Sequence, residues 1–251
     1  MSHSATFAYV GARLQARHGR RPTSGEWERL ERIADFGHFV QTARGSGLEP
    51  FVRYIATGAE AHEVERALRV AWRRYSAEVA DWQPAPWRPG VRWTALLPEL
   101  PVLHHLLAGR PALPWMTALP SLGEAARHEG GEQRRRLAAG PLAPLLPDQD
   151  RGLPLDEAWA RQWRRLLPPT PSRYHGPLQR LERDVRRYRA AVGEDDGPDP
   201  EEQLDRLLTG TFRRHTREPV AAYAHLGLVA LDFQRLRAGL LTRRLFGSPR
   251  A

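Results

Sequence analysis

Apolar residues return every three or four positions through most of this chain, a spacing that an α-helix turns into one continuous buried face. Between 59 and 82 the series Val64, Leu68, Ala71, Tyr75, Val79 and Trp82 predicts one long amphipathic helix. Leu155, Trp159, Trp163 and Leu166 predict another, and Leu178, Leu181, Val185, Tyr188 and Val192 a further one. After Pro219, the residues Ala222, Leu226, Val229, Phe233, Leu236 and Leu240 predict a last helix, which Gly247 ends. No window shows the period-two alternation of valine, isoleucine and threonine that strands prefer. The fold class this predicts is all-α, a multi-helix bundle.

Local signals place several helix starts. Thr23 and Glu26 have the spacing of a capping box, in which hydroxyl and carboxylate satisfy orphan amides reciprocally. Trp27, Leu30, Ala34 and Val40 follow as a buried stripe, broken by Gly45-Ser46-Gly47, and Phe51, Tyr54 and Ile55 open a short apolar patch. Asp199-Pro200-Glu201-Glu202 reads as an N-cap, a proline at the first helical position and an acid in the first turn, with Leu204, Leu207, Leu208 and Phe212 as the apolar face behind it. Glu65 and Arg69 form a correctly oriented pair on the outside of the long helix, worth roughly 0.2–0.5 kcal/mol.

Between 84 and 147 eleven prolines interrupt the pattern. Each removes an amide donor and biases the residue before it away from helix, so only short helices fit, such as Val102 to Ala108 and Leu122 to Leu137. Trp82, Trp87, Trp93 and Trp115 lie in or beside this stretch, which predicts a packed segment, because disordered chains are poor in aromatics. Three parts follow: an N-terminal helical lobe over 1–83, a proline-rich segment of short helices over 84–150, and a C-terminal helical lobe over 151–251 that packs back on the first.

The formal charge of +9 and pI near 10.9 point toward nucleic acid or an anionic surface. All 38 basic residues are arginine, however, with no lysine or asparagine and only two isoleucines, Ile33 and Ile55. That bias toward residues of G/C-rich codons makes part of the charge a mark of genome composition. An arginine-rich helical nucleic-acid-binding protein is therefore the alternative expectation, behind a protein that binds other proteins. Cysteine is absent, which removes disulfides and thiolate metal sites and suits a reducing compartment. No signal-peptide pattern opens the chain, and nowhere do about 18 apolar residues run uninterrupted. A cytoplasmic location is expected.

No constellation supports catalysis, a cofactor or a metal. His104 and His105 are neighbours on a helix, point about 100° apart and have no acid or histidine three or four residues away. His215 and His225 are separated by a proline and a helix boundary. The acidic run Glu194, Asp195, Asp196, Asp199, Glu201, Glu202 lacks the alternating ligands and closing glutamate of a calcium loop and reads as a solvated connection. Ser46 sits in a plain turn, and no phosphate-binding glycine loop is present. Arg134, Arg135 and Arg136 spread around a helix, where exposure accounts for them. Asp232 has Arg235 three residues on, and a local ion pair is expected there.

Phe7-Ala8-Tyr9-Val10-Gly11-Ala12-Arg13-Leu14-Gln15-Ala16-Arg17 resembles the start of the connector subunit of V-type and A-type ATPases, called C in bacterial and archaeal complexes and d in vacuolar ones. Leu228-Val229-Ala230-Leu231-Asp232-Phe233-Gln234-Arg235-Leu236-Arg237, preceded by Ala222-Tyr223 and followed by Arg243-Arg244 and Phe246-Gly247, resembles that family's closing helix. Glu99-Leu100-Pro101-Val102-Leu103 stands where the family often has Asp/Asn-x-x-Asn-Leu, and the chain is short for the family's three helical repeats, so it resembles a shortened member. The resemblance implies a funnel-like bundle of degenerate repeats that works without a catalytic site or cofactor. Its partners would be the rotor stalk subunit and the membrane rotor ring at the cytoplasmic face, and its role the coupling of the two for ion transport. Tyr9, Arg13, Arg17, Asp232 and Arg237 are the interface residues it implies.

Overall fold

A computed structural model describes residues 3–169, 171–192 and 199–247, with side chains from Phe7 onward, and every regular element among them is helical. In the first third, α1 (His3–His18), α2 (Ser24–Glu31), α3 (Phe36–Arg44) and α4 (Glu49–Val52) lead to the long α5 (Ala61–Trp82). The proline-rich stretch holds α6 (Arg88–Trp93), α7 (Leu100–Leu107), α8 (Gly123–Ala126), α9 (Gly130–Ala138) and α10 (Leu146–Gln149), joined by 3₁₀ turns at Ala85–Trp87, Thr94–Glu99, Pro114–Ala118 and Ala143–Leu145. Four longer helices close the chain: α11 (Leu155–Leu166), α12 (Ser172–Ala191), α13 (Pro200–Arg214) and α14 (Val220–Phe246).

The starts follow local chemistry. Thr23 caps α2 and completes its capping box with Glu26, and Glu60 does the same for α5 with Glu63. Asp199 accepts from the Glu201 amide at 2.8 Å, with Pro200 opening α13. The neighbouring Glu194, Asp195 and Asp196 lie outside the described residues.

The stripe expected to run from Trp27 through Val40 is instead two helices, and Ala34 is exposed between them. Asp35 restarts the helix by accepting from the His38 amide at 2.6 Å. At the end of α2, Arg243 donates to the carbonyls of Leu30, Glu31 and Ile33, which a helix end otherwise leaves to water. The helix expected over Leu122 to Leu137 also divides, because Gly130 adopts φ +56, where a side chain is costly. Two positions expected on buried faces are open to solvent: Leu207 on α13 and Val192 beyond α12 are 40% and 57% exposed.

The last helix differs from its expected one-sided stripe. Along α14, Ala221, Tyr223, Ala224, His225, Leu228 and Leu231 are buried together with the predicted positions. Through Phe233 the helix is covered on all sides, as suits a helix inside a protein, and α14 touches α1, α3, α5, α12 and α13. Phe51, Trp72 and Phe233 meet between α4, α5 and α14, with ring centroids 5.5 and 5.6 Å apart around Phe233. Burial of each such ring contributes on the order of 2–3 kcal/mol. Trp87 and Trp93 are buried and Trp82 and Trp115 partly so, which makes the proline-rich segment part of the same core.

A candidate interface along the first and last helices

The five interface residues implied by the resemblance sit in three different settings. Tyr9 and Arg13 lie on the outer face of α1 and are exposed. The Arg13 guanidinium stands 5.2 Å from the Tyr9 ring centroid and 5.4 Å from that of Trp82 at the end of α5. Arg17, one turn on, faces inward. It pairs with Glu78 at 2.6 Å and lies over the rings of Tyr75 and Trp82. Together these residues form a strip of alternating guanidinium and aromatic surface where α1 crosses α5.

Asp232 is buried. Its expected partner Arg235 turns outward, to Glu31 at 2.5 Å and over the Trp27 ring. Asp232 instead receives Arg21, from the turn after α1, through Nε at 2.6 Å and Nη2 at 3.2 Å. Burial pushes the Asp232 carboxyl above its usual range, and the Arg21 guanidinium pulls it back. Arg21 reaches Asp205 of α13 at 2.7 Å as well, so one side chain ties the first helix to the last two. Nothing local in the sequence announces that role, because its partners lie 184 and 211 residues away.

Arg237 pairs with Glu65 of α5. The Glu65–Arg69 pair, expected on the outside of the helix, is 13% and 10% exposed. Arg237 and the Trp115 ring, 4.8 Å from the Arg69 guanidinium, flank it. Toward the Arg17 end of α5, the Tyr75 hydroxyl lies 2.8 Å from Nε2 of His225, which is fully buried. Burial, helped by the positive charges of His18, Arg21 and Arg17, pushes His225 down to about 3, so it stays neutral.

Next to the seam is a depression of about 270 Å³ walled by Arg17, Arg20, Arg21, Arg53 and the Gly45–Gly47 turn, with Tyr75 and Asp232 at its inner side. The turn can lie there only because residue 47 is glycine: a Cβ on it would stand 1.6 Å from the Arg20 carbonyl oxygen. The cluster on α9 is neutralised in place. Arg134 pairs with Asp150, and Arg135 and Arg136 share Glu132 at 2.5 and 2.7 Å. His105 faces the Pro111 carbonyl at 2.8 Å, and His215 faces Glu218 at 2.9 Å. Set against known proteins, the chain matches no family profile, no curated protein and no solved structure.

Proposed function

We propose that this chain is a non-catalytic connector between protein partners, and that it serves as a shortened connector subunit of a rotary V/A-type ATPase. The observation that carries the proposal is the junction of its two ends. The segments resembling the connector family, α1 and α14, pack on each other, and Arg21 locks them through Asp232. A part that transmits force needs its ends fixed in one rigid body, and ion pairs running from α1 and the turn after it to α5, α13 and α14 support that. Docking would fall to the exposed Tyr9–Arg13–Trp82 strip, since aromatic and arginine side chains are the commonest anchors of protein interfaces. No helix among the described residues is long and apolar enough to cross a membrane, so attachment to a rotor ring at the cytoplasmic face would run through contact with the ring's own subunits. Nucleic acid is the weaker alternative, because Arg134, Arg135 and Arg136 already face acids.

The test is affinity purification of the tagged chain after gentle detergent lysis, followed by identification of the rotor stalk subunit and ring subunit in the eluate. Both are expected, and Arg13→Glu should release them. Recovery of the chain as a free monomer, with stalk and ring intact elsewhere in the same lysate, would overturn the proposal.

A further inference from the structure

The depression beside the Gly45–Gly47 turn is unusual in its hydrogen-bond balance. Four guanidinium groups and two carboxylates line it. Both oxygens of Asp232 are taken by Arg21, and both oxygens of Glu49 by Arg53. Both carboxylates are thus engaged by their own arginines, while each guanidinium carries five N–H groups and has donors to spare. Arg17 uses one Nη toward Glu78. Arg20 is exposed and, among the described residues, has no carboxylate within 4.0 Å. A cavity whose wall holds four guanidinium groups against two carboxylates that are already paired is complementary to an anion.

We infer that this depression binds a small phosphate-bearing ligand, with Arg20 as its principal contact and the outer edges of Arg17 and Arg53 completing the grip. A planar carboxylate satisfies one guanidinium fork. A tetrahedral phosphate presents acceptors in several directions and suits arginines that come from α1, from the turn after it and from the end of α4. The volume of about 270 Å³ admits a phosphate group and leaves its substituent toward solvent. This site requires no protein partner and stands apart from the connector proposal.

The experiment is calorimetric titration of the intact chain with pyrophosphate at low ionic strength, against chloride at matched ionic strength. Arg20→Gln breaks no ion pair among the described residues, so its circular dichroism and thermal midpoint should match those of the parent. Saturable binding by the parent is expected, with at least a roughly tenfold loss in Arg20→Gln, the size of one charge-assisted hydrogen bond. Arg135→Gln, in the paired cluster on α9, should bind as the parent does. Three results would overturn the site: heats no different from chloride, equal affinity in the parent and Arg20→Gln, or an acidic peptide that binds through Arg20 and is not displaced by pyrophosphate.

Discussion

Arg21 and Asp232 form a two-point ion pair, Nε to Oδ2 at 2.6 Å and Nη2 to Oδ1 at 3.2 Å, across the join between the two ends of the chain. Their side chains are only 15% and 8% exposed, so both charges have given up most of their water. Such a pair is costly to break from one side and cheap to remove whole, because removal of one partner strands a buried charge. Arg21→Met is expected to lower unfolding stability by about 3–5 kcal/mol, and the double variant with Asp232→Leu to regain most of that loss. Urea unfolding of the two single variants and the double variant measures the coupling. Losses that simply add would mean that the pair is no lock.

His225 sets a pH dependence. Its folded value, pushed down to about 3, lies below its unfolded value near 6.5. Between those values the unfolded chain binds the extra proton, so the stability from neutral His225 is fully present above the unfolded value and is lost as pH falls toward the folded one. The parent should lose about 1.4 kcal/mol more per pH unit than His225→Gln between roughly pH 6 and pH 4. Asp232 and Glu99, whose carboxyls burial pushes up, act in the opposite direction, and His18 in the same one. All three are common to both proteins and cancel in the comparison. Parallel stability–pH curves would show that His225 does not titrate on unfolding as described.

The Gly45–Gly47 turn gives a steric prediction. Gly47→Ala drives a methyl into the Arg20 carbonyl, backbone against backbone, with no side chain able to yield. A loss of about 1–3 kcal/mol is expected, together with weaker pyrophosphate binding. A methyl on Gly131 of α9 would meet nothing within 4 Å, so Gly131→Ala should stabilise by about 0.4–1 kcal/mol through the unfolded chain alone. Thermal melts of both variants decide it, and equal shifts would show that the contact at Gly47 is not tight.

The helices were legible in the sequence wherever neighbours in sequence decide the outcome. The series from Val64 to Trp82 and the box at Thr23 and Glu26 are local patterns, and the structure keeps both. The failures are positions where distant groups decide. Ala34 fits the period of the preceding stripe, but Arg243 meets the end of α2 and Asp35 restarts the chain in a new direction. Asp232 has Arg235 at helical spacing, yet the two side chains leave the helix toward different neighbours. The pairing of Arg17 and Arg237 was equally hidden, because an arginine that pairs with Glu78 or Glu65 looks in sequence like one that meets only solvent.

That division among the interface residues separates docking from folding. Arg17 holds Glu78 and covers two rings, and Arg237 neutralises Glu65, which is 13% exposed. Alanine at Arg17 should cost about 1 kcal/mol or more, as a part-buried ion pair and its packing are lost, and alanine at Arg237, itself 47% exposed, about 0.2–1 kcal/mol, because Arg69 still neutralises Glu65. Tyr9 is 54% exposed, and Arg13 faces no carboxylate among the described residues, only the rings of Tyr9 and Trp82. Tyr9→Ala and Arg13→Ala should therefore change stability by no more than about 0.5–1 kcal/mol, the range of an exposed cation–π contact. If this strip is the docking surface, the same two variants abolish co-purification with the stalk and ring subunits while their melts stay near the parent's. Arg17→Ala and Arg237→Ala would reduce partner recovery only in step with the folded fraction. Full recovery of partners by the Tyr9→Ala, Arg13→Ala double variant would move the docking surface elsewhere on the molecule.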